Sequence, residues 1–119
     1  AIGIADVIVF APSNPIASIG PILAIPNMKE AIQSSDARRI AISPIVGGRS
    51  LKGPSDRMLR NRGLTADVRG VADYYEGLID VLVIDEEDRG FEKAGLEVLV
   101  TQTVMKDLDD KKRLAAQLF

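Results

Sequence analysis

The sequence predicts an α/β fold: a three-layer α/β/α, Rossmann-like domain built on a mainly parallel sheet. Two patterns carry that reading. Short apolar runs rich in Val and Ile recur at Ala5–Ala11, Arg39–Ser43, Val81–Ile84 and Leu96–Thr101. Continuous rather than alternating apolarity is what strands covered on both faces require. The intervals between the runs carry helical patterns long enough for crossovers, so the chain reads as four β-α units. Its 119 residues amount to one domain. Four strands are few for a doubly wound sheet, and the first run follows Ala1 almost at once. The expectation is therefore an incomplete domain.

Each element has its own signal. After the first run, Pro12, Pro15, Pro21 and Pro26 interrupt a stretch from Ala1 to Asn27 whose only charged side chain is Asp6. The prolines break what would otherwise approach the length of a membrane span, and no basic leader precedes it. This stretch is expected to form the buried centre of the domain. Met28–Gln33 reads as a short helix, and Pro54–Arg62 as another, with Pro54 in its first turn and Gly63 beyond its end. Thr65 is the expected cap of a helix over Ala66–Glu76, on which Tyr74 and Tyr75 pack toward the sheet. Glu86–Lys93 reads as a helix ending at Gly95. Thr103 is placed to cap a last helix, in which Val104, Leu108, Ala115 and Leu118 recur near helical spacing. The run from Asp107 to Arg113 reads as its solvated face.

Composition narrows the chemistry. Formal net charge is −2, too balanced to indicate nucleic acid or membrane by bulk electrostatics. Cysteine and histidine are both absent from the sequence, which excludes a disulfide framework, thiolate metal sites and the commonest general base. A reducing, cytoplasmic setting suits such a chain. Charge is distributed unevenly: Arg38 to Arg62 holds seven basic residues against Asp56 alone. An island of that kind suits an anion site, or equally a set of solvated helix faces.

Four segments follow predicted strands at their carboxyl ends, where open α/β sheets bind ligands. Ser13 and Asn14, stiffened by Pro12 and Pro15, offer a hydroxyl and an amide to a phosphate or a ring edge; a helix-capping turn is the alternative. From Ser43 to Pro54 runs a second segment in which Gly47, Gly48 and Gly53 allow backbone amides to approach an anion, with Arg49 and Lys52 nearby. It lacks the spacing of a standard phosphate-binding loop. Asp85, at the head of an acidic run to Asp88, suits a metal, a ribose hydroxyl or, more simply, a helix cap. Thr101 and Thr103 present hydroxyls to a base or ribose, with capping again open for Thr103.

Several strings, in collinear order over nearly the whole chain, together resemble the 2-phospho-L-lactate transferase family. They are Ala5-Asp-Val-Ile-Val-Phe-Ala-Pro-Ser-Asn-Pro15, Ser18-Ile-Gly-Pro-Ile-Leu-Ala-Ile-Pro26, Ser43-Pro-Ile-Val-Gly-Gly48, Lys52-Gly-Pro-Ser-Asp-Arg-Met58, Val83-Ile-Asp85 and Val100-Thr-Gln-Thr-Val-Met105. The resemblance implies transfer of a phospholactyl group, or a related three-carbon phosphoacid group such as enolpyruvyl phosphate. The donor would be linked to guanosine diphosphate, the acceptor the deazaflavin Fo, and GMP would leave during coenzyme F-420 biosynthesis. It further implies magnesium as cofactor, and that residues 1–119 form the C-terminal portion of a longer transferase. A glycine-rich first loop and paired aspartates, tied to deazaflavin and metal, would then belong to a preceding stretch; catalytic residues and metal ligands are accordingly unassigned. Ser13, Asn14, Ser43, Gly47, Gly48 and Lys52 are expected in the donor and acceptor pocket, with Thr101 and Thr103 nearer the nucleoside. Two other readings stand beside this one. The first is a non-catalytic sugar-nucleotide-binding regulator of the related gluconeogenesis-factor type, against which the segment from Ser43 to Pro54 argues. The second is a plain α/β interaction module. An exposed sheet edge would invite a homodimer.

Overall fold

The computed structural model describes residues 6–12, 15–47, 49–50, 55–103 and 108–118. Strands β1 (Val7–Phe10), β2 (Arg38–Ile42), β5 (Val81–Asp85) and β6 (Glu97–Thr101) form one sheet in the order β1-β2-β5-β6, parallel throughout. All four expected strands are present. Successive side chains alternate between the two faces. Phe10, Ala41, Leu82 and Ile84 point to one face, where they meet Ile32 of α2 (Met28–Ser34), Leu59 of α3 (Ser55–Asn61) and Val68, Val71 and Ala72 of α4 (Val68–Tyr74). Ile40, Ile42, Val81 and Val83 point to the other face and meet Leu114 of α5 (Leu108–Leu118). Two helical layers on a parallel sheet follow, and β5 is buried at all five positions. Among the described residues, no helix is long and apolar enough to cross a membrane.

The first crossover differs from its expectation. After β1 the chain makes a π-helical turn over Pro15–Ile19 and a four-residue helix α1 (Gly20–Leu23). Pro15 and Ile19 are buried, but α1 buries nothing, and Ile22 and Ile25 are 48% and 50% exposed. Apolar content alone had placed this run in the centre; a helix broken by Pro21 and Pro26 turns only part of its surface inward.

The second crossover begins with a feature not anticipated as a strand pair. β3 (Ile45–Val46) and β4 (Arg49–Ser50) form an antiparallel hairpin, pairing Val46 with Arg49. Helix α4 then starts at Val68 rather than Ala66, and its cap is Asp67, not Thr65. The Asp67 carboxylate accepts the Gly70 N–H at 3.1 Å and the Thr65 hydroxyl at 2.6 Å, so Thr65 supports the cap from outside the helix. Tyr75 is buried in the core, 5.0 Å from Phe10 between ring centres and edge-on to Tyr74. Burial pushes its hydroxyl well above the usual tyrosine range.

The third crossover carries no α-helix over Glu86–Lys93. One 3₁₀ turn, Glu86–Asp88, is followed by Gly90 and Gly95 at φ +103° and +79°. Both are left-handed backbone positions, which stop helix propagation. Phe91 of this connection packs under the Arg69 guanidinium of α4, 5.6 Å from ring centre to charge. The last helix is present over Leu108–Leu118, and residues 104–107, through which Thr103 was expected to cap it, lie outside the described residues. Asp109, Lys111, Lys112 and Arg113 are exposed, as a solvated face requires.

At the amino end of the sheet, Arg39 grips Asp80 through its side chain at 2.9 Å, and the Asp80 carboxylate also accepts the Arg39 N–H. That pair holds Asp80 below the usual carboxylate range. Arg38 is paired with Glu97. Two members of the basic island therefore sit at the opposite end of the sheet from the candidate site, already neutralised.

Gly70 tests the packing of α4 on the preceding turn. A Cβ there would lie 1.7 Å from the Thr65 carbonyl oxygen. Helix propensity favours Ala over Gly by about 1 kcal/mol, yet a clash with backbone costs more. Gly70→Ala is expected to lower stability by about 2 kcal/mol or more in urea unfolding; a stabilised variant would refute this packing.

Candidate functional site at the carboxyl edge

The carboxyl ends of β1, β2, β5 and β6 lie along one edge, because all four strands are parallel. Register brings Phe10 beside Ala41, Ile42 beside Val83 and Asp85 beside Thr101. The loops that leave these ends therefore converge, and the sequence-predicted residues among them occupy one region. Ser43, Gly47, Thr101 and Thr103 are among those the structure describes. Ser13, Asn14, Gly48 and Lys52 lie outside the described residues.

Ser43 extends the β2–β5 ladder by one bond, donating its N–H to the Val83 carbonyl at 2.9 Å. Its side chain is 0% exposed. The hydroxyl donates to the Ile45 carbonyl at 3.1 Å and accepts the Ile45 N–H at 3.2 Å. Ser43 thus shapes the turn around Pro44 that launches the β3–β4 hairpin, and its hydroxyl does not face an open surface.

Gly47 sits at the tip of that hairpin with φ +59°, a conformation that disfavours any side chain. Its N–H donates to Asp88 Oδ2 at 3.1 Å. A Cβ on Gly47 would stand 3.1 Å from Glu87 Oε2. The amide that sequence reasoning offered to a phosphate is thus held by a carboxylate from the 3₁₀ turn after β5. The anion expected at this amide is present as a side chain. Burial raises the Asp88 carboxyl above the usual range; the Gly47 bond opposes this, and the charges of Asp85 and Asp67 reinforce it.

Asp85 joins the last two loops. It is 7% exposed, and its Oδ1 accepts both the Thr103 N–H at 2.9 Å and the Thr103 hydroxyl at 3.2 Å. Its Oδ2 accepts the Glu87 N–H at 3.1 Å, capping the 3₁₀ turn. The capping alternative for Asp85 is therefore the one realised. Thr103, 1% exposed, is pinned against β5, and Thr101 is buried beside it.

These bonds decide what the described part of the edge can do. The Ile45 backbone engages the Ser43 hydroxyl, Asp85 engages the Thr103 hydroxyl and N–H, and Asp88 engages the Gly47 amide, so these groups are held in place by one another. Magnesium does not fit the groups in view: among the described residues no three acidic side chains cluster to hold a metal. Both Asp85 oxygens already accept N–H or O–H donors. Sequence reasoning missed Asp67 as a member of this region; its signal was an Asp three residues before Gly70, the spacing of an N-cap to its amide.

A family model for 2-phospho-L-lactate transferase CofD matches residues 1–118. The chain belongs to the 2-phospho-L-lactate transferase family. A 2-phospho-L-lactate transferase of Methanocaldococcus jannaschii is 42% identical over 114 residues, which are 95% of this chain and 36% of that protein. One from Methanococcoides burtonii is 38% identical over 117 residues, covering 95% of this chain and 38% of that protein. The chain thus spans a little over a third of the length of these relatives. The crystal structure of protein BH3568 from Bacillus halodurans matches 99% of this chain and 44% of its own, with TM-score 0.63 at 21% identity. That likeness concerns the fold, and it agrees with the parallel α/β sheet.

The Asp88 contact makes a pH prediction. Its carboxyl is raised in the folded state, so the folded protein binds that proton more readily than the unfolded chain. Stability is therefore lost as pH rises from the ordinary aspartate range through the raised one. Asp88→Asn keeps an oxygen for the Gly47 N–H and carries no charge. Its unfolding midpoint should exceed that of the parent at about pH 7 and match it at about pH 3. The same difference at both values would refute the assignment.

Proposed function

We propose that the full-length protein moves a phospholactyl, or enolpyruvyl phosphate, group from a guanosine diphosphate-linked donor to a hydroxyl of the deazaflavin Fo, with GMP leaving. The observation that carries this reading is the family match over residues 1–118, joined to a glycine hairpin at the carboxyl end of the central strand β2. In the proposed reaction the acceptor hydroxyl attacks the phosphorus that carries the acid, the P–O bond to GMP breaks, and the hydroxyl proton leaves to solvent or a base. Charge develops on non-bridging oxygens, and catalysis is mostly positioning and electrostatic stabilisation. Such chemistry asks for amides and cations, not for the histidine or cysteine this sequence lacks.

Within that reading, Ser13, Asn14, Gly48 and Lys52 meet the diphosphate. The Gly47 amide exchanges Asp88 for a phosphoryl oxygen when donor binds; a carboxyl of raised pKa is the easier partner to displace. Ser43 sets the hairpin, and Thr103, held by Asp85, presents backbone near the nucleoside together with Thr101, the strand neighbour of Asp85.

The test is titration calorimetry of GDP into the full-length protein, followed by turnover with Fo and donor. Lys52→Ala is expected to weaken GDP binding roughly tenfold, the effect of losing one charge-assisted contact of about 1.4 kcal/mol. Its kcat/KM should fall roughly a hundredfold. GDP affinity with no turnover of Fo would instead mark a nucleotide-binding regulator, and unchanged GDP affinity in the variant would remove Lys52 from the pocket.

A further inference from the structure

A cleft of about 800 Å³ opens between the segment that follows β1 and the end of α4. It shares no residue with Ser43, Gly47, Asp85 or Thr103. Asp73, Tyr74 and Leu78 on its far wall precede β5, so the cleft extends toward the amino end of the sheet. Its volume lies within the range of small-molecule sites, roughly 300–1,000 Å³.

The lining is chemically uneven. Ile16, Leu23, Leu64 and Leu78 provide apolar surface, and the half-buried Tyr74 ring joins them. Gly20 keeps the wall open beside that ring, since a Cβ there would stand 3.2 Å from the Tyr74 hydroxyl. Lys29 and Arg62 stand at the same cleft. Among the described residues neither makes a salt bridge; Arg62 lies over the Tyr74 ring, 6.0 Å from its centre. The one acid in the lining, Asp73, is neutralised by Lys93 at 2.9 Å. The Tyr74 hydroxyl has no hydrogen-bond partner among the described residues, and burial keeps it protonated as a donor.

We propose that this cleft is a second binding site, for a small amphipathic anion: a ring or compact apolar body bearing one carboxylate, sulfonate or phosphate group. The apolar wall takes the body. Lys29, Arg62 and the Tyr74 hydroxyl take the anionic group, which supplies the counter-charge that the cleft itself lacks.

The probe is anilinonaphthalene sulfonate, an aromatic anion whose fluorescence rises in apolar sites, compared with the uncharged phenylnaphthylamine of nearly the same shape. With the full-length protein, the sulfonate should bind saturably at one site and shift the amide resonances of Tyr74 and Leu78. Saturating GDP should not displace it. The uncharged probe should bind roughly fivefold more weakly, the size of one exposed charge pair. The double variant K29Q/R62Q should lose about the same factor for the sulfonate and nothing for the uncharged probe. Tyr74→Phe, which keeps the ring, should weaken the sulfonate alone. Equal binding of the two probes, displacement by GDP, or shifts confined to Gly47 and Thr103 would each overturn the proposal.

Discussion

Asp85 ends β5 with a carboxylate that is almost wholly buried, and a charge at that depth is tolerated only if its oxygens are met by donors. Donors that meet it include the Thr103 N–H, the Thr103 hydroxyl and the Glu87 N–H. The first two fix the exit from β6; the third starts the 3₁₀ turn. That turn in turn delivers Asp88 to Gly47 and so fixes the hairpin that leaves β2. Loops from three strands are thus held by one short relay of carboxylates. Removing one partner from such a relay leaves a buried acceptor or donor without compensation, at a cost of about 1–3 kcal/mol.

Charge is sorted along the strands. Arg38 and Arg39 lie at the amino end and are matched by Glu97 and Asp80 from neighbouring strand ends. At the carboxyl end the described side chains are acidic and are matched by backbone amides and hydroxyls. This separation corrects a reading of the basic island as one patch.

Much of the fold was legible because β-branched apolar runs in a parallel sheet need little context. All four strands lie within two residues of their expected limits at either end, since both faces of the sheet are covered. Failures arose where local pattern competes with geometry. The run after Pro15 is apolar enough for a core, but prolines break it into pieces of which Ile19 is buried while Ile22 and Ile25 lie on the surface. Acids at Glu86–Asp88 suggested a helix start, and Gly90 in the left-handed region ended it after one turn. Thr65 and Asp67 were both plausible caps; the carboxylate took the Gly70 amide and the hydroxyl fell back to support it. For the candidate site, position at the carboxyl edge was legible for Ser43, Gly47, Thr101 and Thr103. What they bind was not: Asp85 and Asp88 reach Thr103 and Gly47 from another loop, and the Ser43 hydroxyl turns back onto Ile45.

The central claim is that the carboxyl edge of this chain belongs to the donor pocket of the transferase. Hydrogen exchange of the full-length protein, with and without GDP, tests it without altering a residue. Protection should appear in peptides covering Gly47 to Lys52 and Thr101 to Thr103, while Arg38 and Arg39 at the opposite end remain unchanged. Protection that leaves residues 47–52 and 101–103 untouched would contradict the account.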